Sequence, residues 1–390
     1  MSRLSKAASR LPVYAVGRLA GIKQRLKAEG RDLIDLGAGD ADLAPPAVAV
    51  ETLAHAARDP SMSRYAFQVG LPRFRQSIAS YLHRRFGVTV NPDTEILPLL
   101  GSKEGLAHLP MAILNHHDVA IVPEPGYPAY IGGTLMAHAD PEIYPLRADG
   151  GYLVDPERLP PERLAKTRLV FLNYPNNPTT AVVGLEYLER MVALARRHHF
   201  LIAYDNPYCD LTFDGYVAPS ILQVPGAAEV AVEFHSLSKS FSMTGWRAAW
   251  AVGNVEVLDA LKTVKGYMDT GMFLAVQAAC AATLDQAETL VPATVATFRE
   301  RRDAGVTALA SIGMPVEPPK GTMYLWVPLP AGLNDTAFAE RCLEDEALVL
   351  LAGSVFGASG AGFARLALTV PPDRLRESVG RMGRVLERMR

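Results

Sequence analysis

Several short apolar segments of this chain run directly into clusters of polar residues. Three of these clusters begin at Asn173, Asp205 and His235, and the last follows the apolar run 230–234. Runs of this length are typical of buried strands, and a carboxylate at the carboxyl end of a strand is a common ligand position in an open α/β sheet. The pattern therefore predicts a sheet of this kind with a ligand site at the ends of its strands.

Lys239 stands out in the last cluster, because Ser236 and Ser238 precede it and Arg247 follows eight residues later. Most lysines are solvated surface residues, and a lysine in a serine-rich loop is compatible with that interpretation. The alternative is a lysine amine that forms a Schiff base with an aldehyde cofactor, whose phosphate binds the two serines and Arg247. Arginine suits a phosphate because its planar fork donates two hydrogen bonds at once.

Two features upstream favour the cofactor interpretation. An apolar strand ends at Asp205, with Tyr208 three residues later, and another strand leads into a proline-rich turn that contains Asn177. Pyridoxal 5′-phosphate (PLP) needs a carboxylate that keeps its ring nitrogen protonated, so that the ring acts as an electron sink. It also needs donors to its phenolic oxygen, for which Asn177 and Tyr208 are suited, and a lysine for its aldehyde. All of these groups occur here in order along the chain.

Together, the motifs Asn-Pro-Thr at 177–179, Asp-x-x-Tyr at 205–208 and Ser-x-Ser-Lys-(x7)-Arg at 236–247 resemble the class I/II aminotransferases, the fold-type I PLP enzymes. The resemblance extends over nearly the whole chain, and residues 213–216, 233–239 and 243–247 look most like the LL-diaminopimelate aminotransferase branch. It implies an α/β fold in which a large PLP-binding domain holds a mostly parallel seven-stranded sheet, beside a small α+β domain. The implied bounds are 45–285 for the large domain, and 1–44 with 286–390 for the small domain.

The activity that this resemblance implies is a ping-pong transfer of an amino group from an amino acid to a 2-oxo acid. The pair 2-oxoglutarate/glutamate is implied on one side, and LL-diaminopimelate is a candidate donor. An alanine, aspartate or aromatic aminotransferase and a PLP-dependent β-lyase remain open. Two departures from the family pattern lie beside the implied site: Thr180 stands where Gly usually follows Asn-Pro-Thr, and Asn206-Pro207 stands where small residues are commoner. The implied catalytic residues are Lys239, Asp205 and Tyr208.

Further residues are implied to bind the cofactor. Gly101-Ser102 precedes a helix, and the free amides at a helix start suit a phosphate, although many helices begin this way. Tyr127 matches the aromatic residue that stacks on the pyridine ring. Tyr65 matches a tyrosine that reaches the phosphate in the other subunit, which implies a homodimer with shared sites; the alternative is a surface aromatic. The implied cofactor-binding set is Tyr65, Gly101, Ser102, Lys103, Tyr127, Asn177, Asp205, Tyr208, Ser236, Ser238, Lys239 and Arg247.

Arg365 lies inside an apolar strand, where an unpaired charge is costly. Its partner is either a structural carboxylate or, as the resemblance implies, the substrate α-carboxylate, which the fork geometry of arginine favours. The backbone at Gly39 is implied to lie near that carboxylate, and the Lys103 side chain to reach a distal acidic group. Tyr14 is implied to close over the substrate, with a packing role as the alternative. The implied substrate-binding set is Gly39, Asn177, Arg365, Lys103 and Tyr14.

Two other functions fit the sequence less well. A dinucleotide site is suggested by Gly37-x-Gly39, but Asp42 stands where that fingerprint needs Gly or Ala, and Pro45-Pro46 follows instead of a helix. A non-catalytic regulator that appends this fold to a DNA-binding domain would need an additional helix-turn-helix segment. The chain is expected to spend its whole length on the enzyme fold instead.

Composition excludes further classes. The net charge of −2 gives no electrostatic case for nucleic acid or a membrane surface. The three cysteines are scattered and show neither a disulfide framework nor metal-ligand spacing, and no apolar run is long enough to cross a bilayer. The N-terminal residues lack the apolar core of a secretory signal. A cytoplasmic enzyme without a metal is therefore expected, with residues 140–166 as an exposed connection.

Overall fold

The structure is a computed structural model that describes residues 9–12 and 16–389. Tyr14, which was predicted to close over the substrate, lies outside these residues. The strands are β1 (Ile34–Asp35), β2 (Ile96–Leu99), β3 (Val119–Glu124), β4 (Asp140–Pro145), β5 (Thr167–Asn173), β6 (Leu201–Asp205), β7 (Ala231–Ser236), β8 (Ala249–Gly253), β9 (Tyr324–Pro328), β10 (Leu348–Val349), β11 (Leu351–Ala352) and β12 (Phe363–Ala367). The α-helices are α1 (Val16–Ala28), α2 (Ala47–Ala56), α3 (Pro72–Phe86), α4 (Ser102–Ile113), α5 (Pro128–Met136), α6 (Pro161–Lys166), α7 (Leu185–His198), α8 (Leu237–Ser240), α9 (Val255–Met268), α10 (Leu274–Leu284), α11 (Ala287–Ser311), α12 (Asp335–Glu346) and α13 (Pro372–Met389).

Strands β2 to β8 form one sheet in the order β2-β8-β7-β6-β5-β3-β4. Strand β8 runs antiparallel to both of its neighbours, and the other pairs are parallel. This arrangement confirms the predicted α/β fold with a mostly parallel seven-stranded sheet. The central strands β5, β6 and β7 are buried along almost their whole length, which explains their nearly continuous apolar sequences.

The same three central strands bring the polar clusters together. In the register of the sheet Asn173 lies beside Asp205, and Asp205 lies beside Phe234, two residues before Ser236. Because the strands are parallel, their carboxyl ends meet at one edge, where an open α/β sheet binds its ligands. The polar residues that follow each strand therefore face a common space.

Residues 140–166 are not wholly an exposed connection, as the sequence had suggested. Strand β4 pairs in parallel with β3 over its whole length and forms one edge of the central sheet, and α6 follows it. Two prolines, Pro141 and Pro145, obscure this strand in the sequence. Proline is tolerated on an edge strand, because one side of the strand needs no ladder hydrogen bonds.

The remaining strands lie apart from the central sheet. Strands β11, β12 and β9 form an antiparallel sheet, and β1 pairs in parallel with β10. The long helix α11 connects the two cores, since Ala287 belongs to the core that contains Phe74 and Leu309 belongs to the core that contains Phe338. The domain bounds at 45 and 285 stay a prediction. Within the described part of the chain, the helices are all too short or too polar to cross a membrane.

Candidate active site

A cavity of about 1480 Å³ opens between the carboxyl edge of the central sheet and the small antiparallel sheet. Most of the site residues predicted from the sequence line it. The exceptions are Gly101, which lies beside the cavity, Tyr65, which lies elsewhere on the surface, and Tyr14, which is not described. The predicted residues in the wall are Gly39, Ser102, Lys103, Tyr127, Asn177, Asp205, Tyr208, Ser236, Ser238, Lys239, Arg247 and Arg365.

Lys239 lies on the one-turn helix α8, directly after β7. Its Nζ donates a hydrogen bond to the carbonyl oxygen of Gly39, so the lysine reaches across the cavity to the turn after β1. Ser236 caps α8: its Oγ accepts from the amide of Ser238 at 3.1 Å and donates to the Ser238 hydroxyl at 2.8 Å. The lysine and the two hydroxyls thus share one wall, as the spacing Ser-x-Ser-Lys requires of a single turn.

Arg247 lies opposite the start of α4 and near Ser102. Its backbone is in the left-handed region at φ 53°, and its Nη1 donates to the carbonyl of Thr244 at 2.7 Å. Gly101 has φ 84°, and a side chain there would collide with the Arg247 guanidinium. Gly101 therefore leaves room for the Arg247 guanidinium and does not itself line the cavity. The guanidinium and the positive end of the α4 dipole form a positive pocket suited to an anion.

Asp205 ends β6 and is buried. Its Oδ2 accepts a hydrogen bond from the hydroxyl of Tyr130 at 2.7 Å, whereas its Oδ1 has no hydrogen-bond partner among the described residues. Burial raises the pKa of Asp205 to about 7, and the hydrogen bond from Tyr130 and the positive charge of Lys239 oppose that rise. A buried carboxylate oxygen without a partner, beside a cavity, is suited to a protonated ligand atom.

Tyr130 was not predicted from the sequence. Its ring stacks on Phe171 with centroids 4.7 Å apart and meets the edge of Tyr127 at 5.8 Å. These contacts fix the hydroxyl that holds Asp205. Tyr127 directly precedes α5 and Tyr130 lies in its first turn, so a spacing of three residues brings the two rings together. That spacing is the signal from which the contact could have been inferred.

Arg365 lies on β12 and is buried, with only 5% of its surface exposed. Its Nη1 donates to Asn177 Oδ1 at 2.8 Å and its Nη2 donates to the carbonyl of Gly37 at 2.7 Å. The guanidinium carbon lies 4.2 Å from the ring centre of Tyr324 and 4.7 Å from that of Phe356. No carboxylate of the described chain forms an ion pair with it, so the structural salt bridge that the sequence left open is not found.

Tyr324 and Phe356 also line the cavity and were missed in the sequence. Tyr324 begins β9, and its hydroxyl lies 3.0 Å from the hydroxyl of Tyr208. Both residues occur in stretches whose aromatic and aliphatic residues are typical of a core, so nothing local distinguishes them. Only the pairing of β9 with β12, which places Tyr324 on the face of Arg365, shows their position.

The two departures from the family pattern lie outside the cavity wall, except for Pro207. Thr180 has φ 64°, a left-handed conformation that glycine adopts more easily than a β-branched residue. Asn206 is fully buried and donates to the carboxylate of Glu233 at 2.8 Å and to the carbonyl of Pro219 at 3.1 Å. The structure therefore explains Asn206, whereas nothing in it explains the threonine at position 180.

Tyr65 belongs to an exposed aromatic patch, which we define as Tyr65, Phe67, Tyr267, Met268 and Phe273. The side chain of Tyr65 is 69% exposed and that of Tyr267 is 91% exposed. The segment of Tyr65 and Phe67 is joined to the C-terminal end of α9 by a hydrogen bond of 3.1 Å from Gln68 Nε2 to the carbonyl of Asp269. The patch is thus held as one surface.

The chemistry of the site involves carboxylate, amine, hydroxyl and guanidinium groups. Within residues 9–12 and 16–389, no three or more His, Cys, Asp or Glu side chains are grouped so that they could hold a metal ion. The arrangement places a lysine amine, a buried carboxylate, an anion pocket and a second guanidinium around one space. Such a site can hold a phosphorylated aromatic cofactor together with a carboxylate substrate.

Known proteins resemble the chain over its whole length. A family model described as Aminotransferase class I and II matches residues 31–382. The chain is 40% identical over 385 residues to the LL-diaminopimelate aminotransferase of Desulforudis audaxviator, which covers 99% of this chain and 98% of that protein. The structure of this chain is similar to that of a probable N-succinyldiaminopimelate aminotransferase from Thermus thermophilus. The two are 37% identical, the TM-score is 0.89, and the match covers 95% of this chain and 99% of the other. The substrate-bound structure of BacF from Bacillus subtilis is also similar, at 33% identity, a TM-score of 0.94 and coverage of 98% of both chains.

Proposed function

Because this chain belongs to the class I and class II aminotransferase family, we propose that it transfers the amino group of LL-diaminopimelate to a 2-oxo acid, with 2-oxoglutarate as the acceptor. The chain is a PLP-dependent aminotransferase whose substrates are an amino acid and a 2-oxo acid. The observation that carries the reaction is the convergence of Lys239, Asp205 and Arg365 on one cavity. The choice of donor rests on relatives named for LL-diaminopimelate that match almost the whole chain.

The residues present fit PLP. Asp205 offers a buried carboxylate oxygen that no described residue satisfies, which is complementary to the protonated ring nitrogen. The pocket formed by Arg247 and the start of α4 is complementary to the phosphate. When bound, PLP withdraws electrons from the substrate Cα. The residues that we propose to hold it are Gly101, Ser102, Lys103, Tyr127, Asn177, Asp205, Tyr208, Ser236, Ser238, Lys239 and Arg247.

Lys239 is proposed to carry the cofactor and then to move the substrate proton. Its Nζ contacts the carbonyl of Gly39, so the side chain already extends into the cavity. A lysine can accept a proton from carbon only in its neutral form, and a positioned base contributes most when it lies within hydrogen-bond reach of the reacting atom. The same amine would then release this proton on the cofactor side of the cavity, so that a single flexible lysine serves both transfers.

Arg365 is proposed to bind the substrate α-carboxylate. Asn177 and the carbonyl of Gly37 each accept from one of its terminal nitrogens, and two aromatic rings face its plane. The guanidinium is therefore fixed in orientation before a substrate arrives. A carboxylate held by a fixed guanidinium places the Cα–H bond in a defined direction, which a proton transfer requires.

We infer that two chains associate and that Tyr65 reaches the phosphate pocket of the partner. The exposed aromatic patch supports this inference, since a solvent-exposed cluster of this kind is typical of a protein interface. We also infer a cytoplasmic location. Its support is that Cys209, Cys280 and Cys342 are all buried and unbridged, as expected in a reducing compartment.

The test is a single-turnover screen of amino donors with the PLP-loaded protein. LL-diaminopimelate, N-succinyldiaminopimelate, glutamate, aspartate, alanine and phenylalanine are added in turn, and loss of the visible absorbance of the cofactor is followed. Rapid loss with LL-diaminopimelate and glutamate alone supports the proposal. Rapid loss with another donor instead assigns that donor, and absence of any loss contradicts aminotransfer. Lys239→Ala is the control, because borohydride should attach PLP covalently to the wild type through Lys239 and should not do so in this variant.

A further inference from the structure

The hydroxyls of Tyr208 and Tyr324 form a buried pair in the wall of the cavity. Their oxygens lie 3.0 Å apart, and their rings meet edge to face with centroids separated by 5.7 Å. Tyr208 follows strand β6 of the central sheet, whereas Tyr324 begins strand β9 of the small sheet. The pair is therefore a polar contact between the two sheets, beside the proposed cofactor site.

The position of Tyr324 is fixed from three sides. Its ring covers the guanidinium of Arg365, with 4.2 Å between the guanidinium carbon and the ring centre. Its hydroxyl fills the space that a side chain at Gly39 would need, and the three atoms nearest to that space all belong to Tyr324. Its backbone is held in β9 by the pairing of Ala367 with Tyr324. The hydroxyl therefore has little freedom to move away from Tyr208.

The number of hydrogens decides what this pair can do. Each tyrosine hydroxyl donates one hydrogen bond and accepts others. If Tyr208 donates to Tyr324, it has no hydrogen left for a cofactor oxygen. If Tyr324 donates to Tyr208, the hydrogen of Tyr208 is free to point into the cavity. The direction of this one hydrogen bond thus determines whether Tyr208 can act as a donor.

We propose that Tyr324 is a positioning residue of the reaction, whose hydroxyl donates to Tyr208 and thereby directs the Tyr208 hydrogen toward the phenolic oxygen of the cofactor. This inference rests on the proposed function, in which Tyr208 contacts that oxygen. The small sheet would then have two roles. It carries Arg365, which the ring of Tyr324 covers, and through the Tyr324 hydroxyl it orients Tyr208. One side chain would then connect substrate recognition with the cofactor.

The charges around the pair make its two hydroxyls unequal. Burial raises the pKa of Tyr208, and the neighbouring Tyr324 and Asp205 raise it further. Burial alone would also raise the pKa of Tyr324, but the positive charges of Lys239 and Arg365 and the contact with Tyr208 outweigh it and lower that pKa. Because a Tyr208 hydrogen donated to the cofactor cannot also be donated to Tyr324, the proposed contact of Tyr208 leaves Tyr324 as the donor of the two.

The test compares Tyr324→Phe, Tyr208→Phe and the double variant in the PLP-loaded enzyme. Tyr324→Phe removes the hydroxyl and keeps the ring over Arg365. We expect kcat to fall about five- to tenfold, the size of one buried hydrogen bond, with KM for the amino donor within about twofold. We also expect the pH midpoint of the cofactor's visible absorbance to shift in the same direction as in Tyr208→Phe. In the Tyr208→Phe background, removal of the second hydroxyl should have no further effect on either quantity.

Two more variants separate positioning from packing. Tyr324→Leu also removes the ring, so it should raise KM in addition to lowering kcat. Tyr187→Phe is the control, because its hydroxyl donates to the carbonyl of Val154 at 2.9 Å, away from the cavity, and its activity and absorbance should match the wild type.

An unchanged absorbance midpoint in Tyr324→Phe, or additive effects in the double variant, would overturn the inference while Tyr208 keeps its proposed contact. An unchanged absorbance midpoint in Tyr208→Phe would overturn the contact of Tyr208 with the cofactor, and the inference with it.

Discussion

Arg365 and Asn177 lie 188 positions apart in the chain, yet the guanidinium Nη1 of Arg365 donates to the amide oxygen of Asn177 over 2.8 Å. Asn177 belongs to the turn after β5 of the central sheet, and Arg365 belongs to β12 of the small sheet. The bond therefore joins the proposed cofactor site to the proposed substrate clamp. It holds the guanidinium in place at a position where no described carboxylate neutralises its charge.

Arg365→Lys should weaken substrate binding without removing the charge. A lysine cannot form the bidentate pair with a carboxylate and cannot keep the bonds to Asn177 and Gly37 at the same time. We expect KM for both the amino donor and the 2-oxo acid to rise about 10- to 100-fold, which corresponds to roughly 1.5–3 kcal/mol. Steady-state kinetics checks this. The control is Arg302→Lys, a buried arginine paired with Asp214 outside the cavity, which should lose stability but keep KM.

Cofactor-free protein should become less stable as the pH rises through the range in which buried Asp205 ionises. Burial raises the pKa of Asp205 from 3.8 to about 7, so the folded state holds this proton more tightly than the unfolded state does. The tighter binding of this proton stabilises the folded state fully at acid pH. This contribution is lost between about pH 4 and 7, by roughly 1.4 kcal/mol for each unit by which the two pKa values differ. Thermal melts between about pH 4 and 7 should show a falling melting temperature. Asp205→Asn should reduce this slope, and an equal slope in both proteins would contradict the assignment.

Gly39→Ala should damage both the clamp and the tyrosine pair. The added methyl group would overlap the Tyr324 hydroxyl, which cannot yield easily because it contacts Tyr208 and its ring covers Arg365. Overpacking of this kind typically costs about 1–3 kcal/mol, and we expect kcat/KM to fall at least tenfold. Tyr324→Phe in the same chain should restore part of the loss. Gly380→Ala, which adds a methyl group to open space, should leave kinetics unchanged.

Thr180→Gly should stabilise the protein and keep its activity. Thr180 has φ 64° and does not line the cavity. Relief of a left-handed conformation is worth about 1–2 kcal/mol, and the greater freedom of glycine in the unfolded chain cancels about half of that gain. Chemical denaturation measures the difference. Thr297→Gly, in the interior of α11, should destabilise the protein instead, because the backbone of Thr297 is helical.

Mixing two defective variants tests the shared site. Tyr65→Ala and Lys239→Ala should each be nearly inactive if Tyr65 acts in the partner's site. After unfolding and refolding together, half of the dimers are mixed, and each mixed dimer has one intact site of two. The mixture should therefore recover about a quarter of wild-type activity. Activity no higher than the mean of the separate variants would show that Tyr65 does not act across an interface.

The sequence predicted the central strands and the residues at their carboxyl ends because both depend on short-range pattern. Buried parallel strands are mostly apolar, Asp205 ends one of them, and Lys239 comes three residues after another. Contacts between distant elements were not predictable in this way. Tyr130 reaches Asp205 from helix α5, and Tyr324 reaches Tyr208 from another sheet, so their roles depend on packing that no local window contains.

Edge and backbone effects were missed for a different reason. Strand β4 contains prolines that are unfavourable in a central strand but harmless at an edge, and only the sheet order shows which case applies. Asn206 and Thr180 were placed next to the site by their position in the sequence. The structure shows that one satisfies the buried carboxylate of Glu233 and that the other adopts a left-handed turn.

The distance along the chain between Lys239 and Arg365 has a consequence during protein synthesis. Strand β12 is translated long after the central strands, and domains commonly begin to fold as they leave the ribosome. A nascent chain that has released β6 and α8 would already carry the lysine and the carboxylate, but it would lack Arg365. Such a chain would present the cofactor side of the site without the means to recognise an amino acid. Substrate selection would thus begin only when translation of the small antiparallel sheet is complete.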